Sequence, residues 1–134
     1  MVKKICLLCI FGMVTSIFSI SAQAQCVCVC EFAKAKQIIL MEKQSASGGT
    51  MYSFRPNFFR DCTGQYCLFK GVDYTWTISP TSTATYTVEG GTGSFQLVVM
   101  VTGPGKLELN CTVSVTCGDG TPCSDVGTRS FHVR

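Results

Sequence analysis

Histidine and charged side chains are scarce in this sequence, and their scarcity argues against whole classes of function. His132 is the only histidine among 134 residues. No serine elbow, paired-carboxylate motif or set of metal ligands accompanies it, so the residue patterns of acid–base and nucleophilic catalysis are missing. We therefore expect a protein that is not an enzyme and that needs no cofactor.

Charged residues make up only 14% of the chain, and the formal net charge is +3. Lys3 and Lys4 supply two of the positive charges and belong to an N-terminal export segment. Without them, nine basic and eight acidic residues remain, a net charge of +1. This balance gives no electrostatic reason to expect nucleic acid or an anionic membrane surface as a partner.

Long apolar runs are also few, and the one at the N-terminus has the layout of a secretory signal. A basic start at Lys3 and Lys4 precedes an apolar run over residues 5–20 and small residues at Ala22 and Ala24. The run is about 16 residues long, shorter than the roughly 20 that a membrane-spanning helix needs. We predict a signal peptide at residues 1–24, with an uncleaved anchor as the alternative. The single mature domain, residues 25–134, would be secreted, periplasmic or on the cell surface, and not inserted in a membrane.

Cysteine, in contrast, is abundant. Cys6 and Cys9 leave with the signal peptide, and the even number that remains in a short exported chain predicts four disulfides. The cysteines predicted to form them are Cys26, Cys28, Cys30, Cys62, Cys67, Cys111, Cys117 and Cys123. Short turns predict two local pairs, Cys62 with Cys67 and Cys117 with Cys123. Eight cysteines allow 105 connectivities, so the long-range pairs stay open.

Cys26, Cys28 and Cys30 alternate with valines, so in a strand their side chains share one face. Neighbours on that face are about 6–7 Å apart, too far for a relaxed disulfide between them. We therefore predict a separate partner for each of these three ladder cysteines, with Cys111 as a candidate for one. A thiolate metal site on the three is the alternative.

The most regular stretch is residues 107–117, where every odd position is apolar and every even position is polar. This alternation is typical of a strand with one buried face. Further strands are predicted at residues 72–79, 84–89, 95–102 and 127–134, between turns rich in glycine and proline. Residues 31–47 carry both helix and strand signals, and we favour a strand that continues from the cysteine ladder. The spacing of strands and turns predicts an all-β antiparallel sandwich.

These strands resemble those of a known family. The order Tyr74-x-Trp76-x-Ile78, a glycine-rich turn, an apolar strand and the alternating residues 105–115 is similar to the immunoglobulin-like (Ig-like) sandwiches of the PKD type in exported bacterial surface proteins. The signal end, residues 22–25, resembles those of Bacteroidetes-type exported proteins. The resemblance covers residues 72–134. It implies an Ig-like fold that acts as a spacer or binding module, with the tryptophan strand packed under the long alternating strand.

The sequence points to binding rather than chemistry. Aromatic and arginine side chains form a candidate contact patch, because they can stack and make cation–π contacts. The residues of this patch are Phe54, Arg55, Phe58, Phe59 and Arg60. The alternative is that its aromatics close one end of a small core. We expect a non-catalytic secreted or cell-surface module, binding or structural, that contacts a protein or a glycan.

Two other functions stay open at this point. A loop pinned between Cys117 and Cys123 suits a secreted effector or inhibitor that presents it rigidly to a target protein. The three ladder cysteines suit a cysteine-based metal binder. Asp119 and Asp125 are acidic residues of the kind that bind calcium, although such residues more often serve turns.

Overall fold

The computed structural model describes residues 26–63 and 68–134, and within them the chain forms nine strands. They are β1 (Val27–Phe32), β2 (Ile38–Ala46), β3 (Gly49–Pro56), β4 (Phe58–Thr63), β5 (Gly71–Ile78), β6 (Thr85–Gly90), β7 (Leu97–Gly103), β8 (Gly105–Thr116) and β9 (Pro122–Val133). All pairings among these strands are antiparallel. The all-β, antiparallel part of the predicted fold class is confirmed. The predicted signal peptide, residues 1–24, lies outside the described residues.

The strands form two larger sheets and a two-stranded ribbon. One sheet has the order β2-β3-β7-β6, the other has the order β5-β8-β9, and β1 pairs with β4 in the ribbon. The two larger sheets face each other: the rings of Phe54 on β3 and Phe131 on β9 are 4.8 Å apart between centroids. The Arg129 guanidinium also donates a hydrogen bond of 2.5 Å to the carbonyl of Ile38 on β2. The arrangement is therefore sandwich-like.

Strand β8 is the centre of the three-stranded sheet, as the alternation of residues 107–117 predicts. The apolar side chains at the odd positions of β8, and Cys117 directly after it, are all buried, and the polar side chains of the strand point the other way. The buried residues are Leu107, Leu109, Cys111, Val113, Val115 and Cys117. Their burial removes a continuous row of apolar surface from water, which is the main favourable term in folding.

The other predicted strands from residue 72 onward are also present. Trp76 on β5 lies opposite Cys111 on β8 and is buried, and its indole N–H donates a 2.8 Å hydrogen bond to the Ser94 carbonyl. Strand β6 starts one residue and β7 two residues later than predicted, and β9 starts five residues earlier than predicted, at Pro122. His132 is exposed on β9, as the alternation of that strand predicts.

The chain passes from one large sheet to the other within a single residue. Pro104 alone separates β7 of the four-stranded sheet from β8 of the three-stranded sheet. Gly105 has a φ of 144°. A Cβ at Gly105 would lie 2.6 Å from the Ala84 nitrogen, so the crossing requires a residue without a side chain.

The segment for which the sequence carried both helix and strand signals contains a strand but also a break. Strand β1 ends at Phe32, and β2 begins at Ile38 in a different sheet, so β2 does not continue the cysteine ladder. Asn57 holds the intervening loop: its N–H donates to the Gln37 carbonyl at 2.7 Å, and its carbonyl accepts from the Ala33 N–H at 2.9 Å. The turn between β3 and β4 therefore fixes the turn between β1 and β2.

Candidate functional site

The β1–β4 ribbon has two chemically different faces. Directly opposite residues in an antiparallel pair share a face. One face carries the pairs Cys28 with Cys62, Cys30 with Arg60 and Phe32 with Phe58, and the other carries Val27 with Thr63, Val29 with Asp61 and Glu31 with Phe59. We call the first the cysteine face and the second the outer face. Cysteines and valines alternate in the β1 sequence, so the strand places the cysteines on one face and the valines on the other.

The cysteine face packs on β9, and Phe32 anchors it. Phe32 is buried, and its ring covers Gly127, where a Cβ would lie 2.8 Å from Phe32 Cγ. The Phe32 N–H donates a 2.9 Å hydrogen bond to the Asp125 carboxylate. The ring of Phe58 meets the Phe32 ring edge-on, with centroids 5.2 Å apart. A glycine on β9 thus provides the space into which the ribbon docks.

Cys30 lies at disulfide-bonding distance from Cys123, with Cα atoms 6.0 Å apart. The predicted local pair of Cys123 with Cys117 is therefore corrected. Cys117 and Cys123 are diagonal neighbours across β8 and β9, and such neighbours are about 7–8 Å apart. The ladder cysteines of β1 are spaced about 6–7 Å apart. Because this spacing is close to the separation of Cys117 and Cys123, each of these two can face a different ladder cysteine. Neither needs to bond to the other.

A cluster of three sulfur atoms lies beside this bond. The Cα atom of Cys28 lies 4.3 Å from that of Cys62, its cross-strand partner, and 6.4 Å from that of Cys117, so the backbone allows a disulfide with either. The three Sγ atoms all lie within 4.8 Å of one another. Cys117 is fully buried, whereas Cys28 and Cys62 are half-buried. Since a sulfur forms only one disulfide, Cys28 can bond to Cys62 or to Cys117 but not to both at once.

Cys67 and Cys26 were also predicted to form disulfides, and Cys26 was part of the alternative metal site. Cys67, the predicted partner of Cys62, lies outside the described residues, and the structure places Cys62 opposite Cys28. Cys26 is disulfide-bonded. The predicted metal trio of Cys26, Cys28 and Cys30 is not the set that the structure brings together, because Cys30 lies against Cys123 instead.

The prediction that Cys111 pairs with a ladder cysteine is wrong. Cys111 is a free, buried cysteine, and burial raises the pKa of its thiol to about 12. It lies on β8 between Trp76 and Gly127. The ribbon cysteines gather at Cys117, six residues further along, which is about 20 Å at the rise of a strand. Cys111 is therefore an apolar core residue rather than a bonded one.

The predicted contact patch is divided between core and surface. Phe54 is only 1% exposed and Phe58 packs on Phe32, so both belong to the core or its margin. Phe59 is 58% exposed, and the Arg60 guanidinium lies over the Phe69 ring, 5.2 Å from its centroid. Arg55 is half-buried. Strand alternation therefore prevents the five residues from forming one surface.

Sequence reasoning missed the valines of the outer face. Val27 is 59% exposed and Val29 is 51% exposed, and both share their face with Phe59. The signal was present in the sequence, because the residues that alternate with a buried cysteine ladder must point away from it. The outer face of the ribbon is thus an exposed apolar row.

The two acidic residues considered for calcium each serve a backbone amide. The Asp119 carboxylate accepts a 2.9 Å hydrogen bond from the Thr121 N–H, which holds the pKa of Asp119 below its ordinary value. The Asp125 carboxylate accepts from the N–H groups of Phe32 and Val126. Asp119 therefore shapes the β8–β9 turn, and Asp125 helps to dock the ribbon.

No helix among the described residues is long and apolar enough to cross a membrane. Comparison of the chain with protein family models, with curated proteins and with solved structures found no match.

Proposed function

We propose that this chain is an exported, non-catalytic Ig-like β-sandwich module that binds a protein partner through the outer face of its β1–β4 ribbon. The observation that carries the proposal is the exposed apolar row of Val27, Val29 and Phe59 on a ribbon whose opposite face is docked on β9. Covering apolar surface is favourable by about 25 cal/mol per Å². A partner that covers these three side chains would therefore gain favourable binding free energy from the apolar surface that it buries.

The ribbon is also held in place before any partner arrives. Phe32 and the Cys30–Cys123 bond fix it to β9, so few side chains and no strand need to be ordered on binding. Binding by a preorganised surface loses less of its favourable energy to conformational entropy. Rigidity thus supports binding rather than a flexible spacer.

The chemistry of the row favours a protein over a glycan. Valine side chains offer a sugar neither hydrogen bonds nor a ring to stack on, whereas apolar side chains of a protein pack against them directly. Asp61 and Glu31 lie on the same face beside the row. Asp61 lies directly across from Val29 and Glu31 directly across from Phe59, so polar groups lie beside the apolar ones, and protein interfaces combine both.

Two features support the exported and Ig-like parts of the proposal. Cysteines at disulfide-bonding distance are typical of oxidising compartments, in keeping with the signal at residues 1–24. Antiparallel sheets of four and three strands support the resemblance to Ig-like modules of the PKD type.

The test uses a matched pair of exposed valines. Val29 on the outer face and Val126 on β9 are 51% and 52% exposed, and Val126 points away from the ribbon because its neighbours Asp125 and Gly127 face it. A photoreactive benzoylphenylalanine in place of Phe59, introduced in cells that produce the protein, would capture the partner for identification. We expect Val29→Lys to weaken binding of that partner at least tenfold and Val126→Lys to change it less than twofold. Equal effects of the two substitutions would contradict the proposal.

A second candidate function rests on the β8–β9 loop, residues 118–121. The Cys117 N–H donates to the Thr121 carbonyl, and the Gly120 N–H donates to the Cys117 carbonyl, both at 2.9 Å, so the exposed loop is held rigidly. This observation favours an effector or inhibitor that presents the loop to a target. If benzoylphenylalanine at position 121 captured a partner and benzoylphenylalanine at position 59 did not, the result would favour this second function.

A further inference from the structure

We propose that Cys28, Cys62 and Cys117 form a thiol–disulfide exchange site, in which the Cys28 sulfur alternates between a bond to Cys62 and a bond to Cys117. The proposal goes beyond the protein-binding function above and does not depend on it. It rests on one observation: the Sγ atoms of Cys28, Cys62 and Cys117 lie within 4.8 Å of one another, and the Cα atoms of Cys62 and Cys117, from two different parts of the fold, are 4.3 Å and 6.4 Å from that of Cys28.

Two independent features of the fold bring the partners to Cys28. The register of the ribbon places Cys62 directly opposite Cys28 on β4. The docking of Phe32 over Gly127 places the same face of β1 over the end of β8, where Cys117 is buried. Neither feature can be lost without unfolding the ribbon or undocking it, so the third sulfur always stays beside the bond.

The exchange needs no oxidant or reductant. In one direction, the Cys117 thiol loses its proton and the thiolate attacks the Cys28 sulfur; the Cys28–Cys117 bond forms, the Cys28–Cys62 bond breaks, and Cys62 leaves as a thiolate that takes up a proton. The reverse step uses the Cys62 thiolate as the nucleophile. One disulfide and one thiol are present before and after each step, so atoms and electrons balance.

The two states differ in which thiol solvent can reach. With the Cys28–Cys117 bond formed, the thiol belongs to half-buried Cys62 at the surface of the ribbon, whereas with the Cys28–Cys62 bond formed it belongs to fully buried Cys117. The first state can therefore react with an external disulfide. The Cys62 thiolate attacks that disulfide, a mixed disulfide forms on Cys62, and the other half of the reagent leaves as a thiolate.

The state of the cluster also changes how the ribbon is attached. The Cys28–Cys117 bond joins the ribbon to β8, whereas the Cys28–Cys62 bond joins the ribbon's own strands and leaves Cys30–Cys123 as its bond to the sheet. An external disulfide that captures Cys62 would hold the protein in the first of these states. The site is thus a switch with a thiol or disulfide compound as its input.

The experiment maps disulfides in the oxidised, full-length exported protein after acid quenching, which stops exchange, followed by peptic digestion at low pH. We expect both Cys28–Cys62 and Cys28–Cys117 linkages, with one alkylated cysteine of the trio per molecule. The Cys30–Cys123 bond is the internal control, because scrambling during digestion would also give it several partners. A single linkage of Cys28, or a third sulfur bonded to another cysteine such as Cys67, would overturn the proposal.

Two variants give a second readout. Cys62→Ser and Cys117→Ser each leave one partner for Cys28, so both should lose the reaction with the aromatic disulfide DTNB that the wild-type protein shows. Cys111→Ser, outside the cluster, should react within twofold of the wild-type rate. A wild-type protein that does not react with DTNB would overturn the proposal. So would three reduced thiols that hold a chelatable soft metal ion, because the cluster would then be a metal site.

Discussion

Replacement of Gly127 by alanine tests how the ribbon is attached to the rest of the fold. The new Cβ would lie 2.8 Å from Phe32 Cγ and closer still to the ring atoms Cδ1 and Cε1, against the roughly 3.5–4.0 Å of an ordinary carbon–carbon contact. The ring would have to move by about 1 Å, and the ribbon would have to move with it. Overpacking of this kind typically costs about 1–3 kcal/mol.

The effect should change sign when Phe32 is also replaced. Alanine is favoured over glycine in the middle of a strand by about 0.5–1 kcal/mol, because glycine loses more backbone freedom on folding. With Phe32→Ala as the background, Gly127→Ala should therefore be neutral or slightly stabilising. The coupling between the two sites should be about 1–4 kcal/mol, the difference between the two effects.

The assay is urea unfolding of the oxidised protein, followed by the fluorescence of Trp76 and analysed as a double-mutant cycle. Gly71→Ala is the matched control, since Gly71 also lies in a strand of the three-stranded sheet and a Cβ there would meet nothing within 4 Å. A cost of Gly127→Ala that is the same with and without Phe32, or equal to that of Gly71→Ala, would refute the docking of the ribbon over Gly127.

Three further predictions concern individual groups. Trp76→Phe removes the donor to the Ser94 carbonyl and should destabilise the fold by about 1–3 kcal/mol, measured by circular dichroism during urea unfolding; no loss would contradict the buried hydrogen bond. The thiol of Cys111, whose pKa is raised to about 12 from 9.0, should resist alkylation at pH 8 until the protein unfolds, and its contribution to stability should be complete below pH 9 and decline as the pH rises towards 12. Because the pKa of Asp119 is lowered in the folded protein, its carboxylate should contribute to stability above its ordinary pKa of 3.8, and this contribution should be lost as the pH falls below that value. An NMR titration in which Asp119 has its midpoint at or above 3.8 would contradict the hydrogen bond from Thr121.

Local patterns in the sequence were sufficient to predict much of the fold. Residues 107–117 predict β8 because alternation specifies a strand and its buried face at once. The same argument predicts β5 with Trp76 inward. These properties depend on neighbours two residues away along the chain, so they are visible without a structure.

The predictions that were wrong concern contacts between residues that are far apart in the chain. Cys30 and Cys123 are separated by 93 residues, and no local signal indicates which of 105 connectivities brings them together. Cys111 was predicted to be bonded because cysteine number suggested it, yet its position along β8 decides its environment. The space that Gly127 gives to Phe32 is equally invisible in sequence, where Gly127 is only one of 13 glycines.

Part of the candidate site was also predictable from the alternation of side chains along a strand. The residues of the ladder were predicted to share a face, and Cys28 and Cys30 do so. The outer face could have been predicted from the alternating valines, but its exposure depends on the docking of the ribbon. The grouping of Phe54 with Phe59 was wrong because adjacency in sequence was given more weight than strand alternation.

The central claim is that the ribbon is bonded to the β8–β9 end of the three-stranded sheet, and non-reducing mass spectrometry tests it most directly. Cleavage before Asp119 and at basic residues separates Cys117 from Cys123, since Asp119 lies between them. The account predicts that the Cys123 fragment is linked to the fragment that contains Cys28 and Cys30. A Cys123 fragment linked to the Cys117 fragment alone would contradict it.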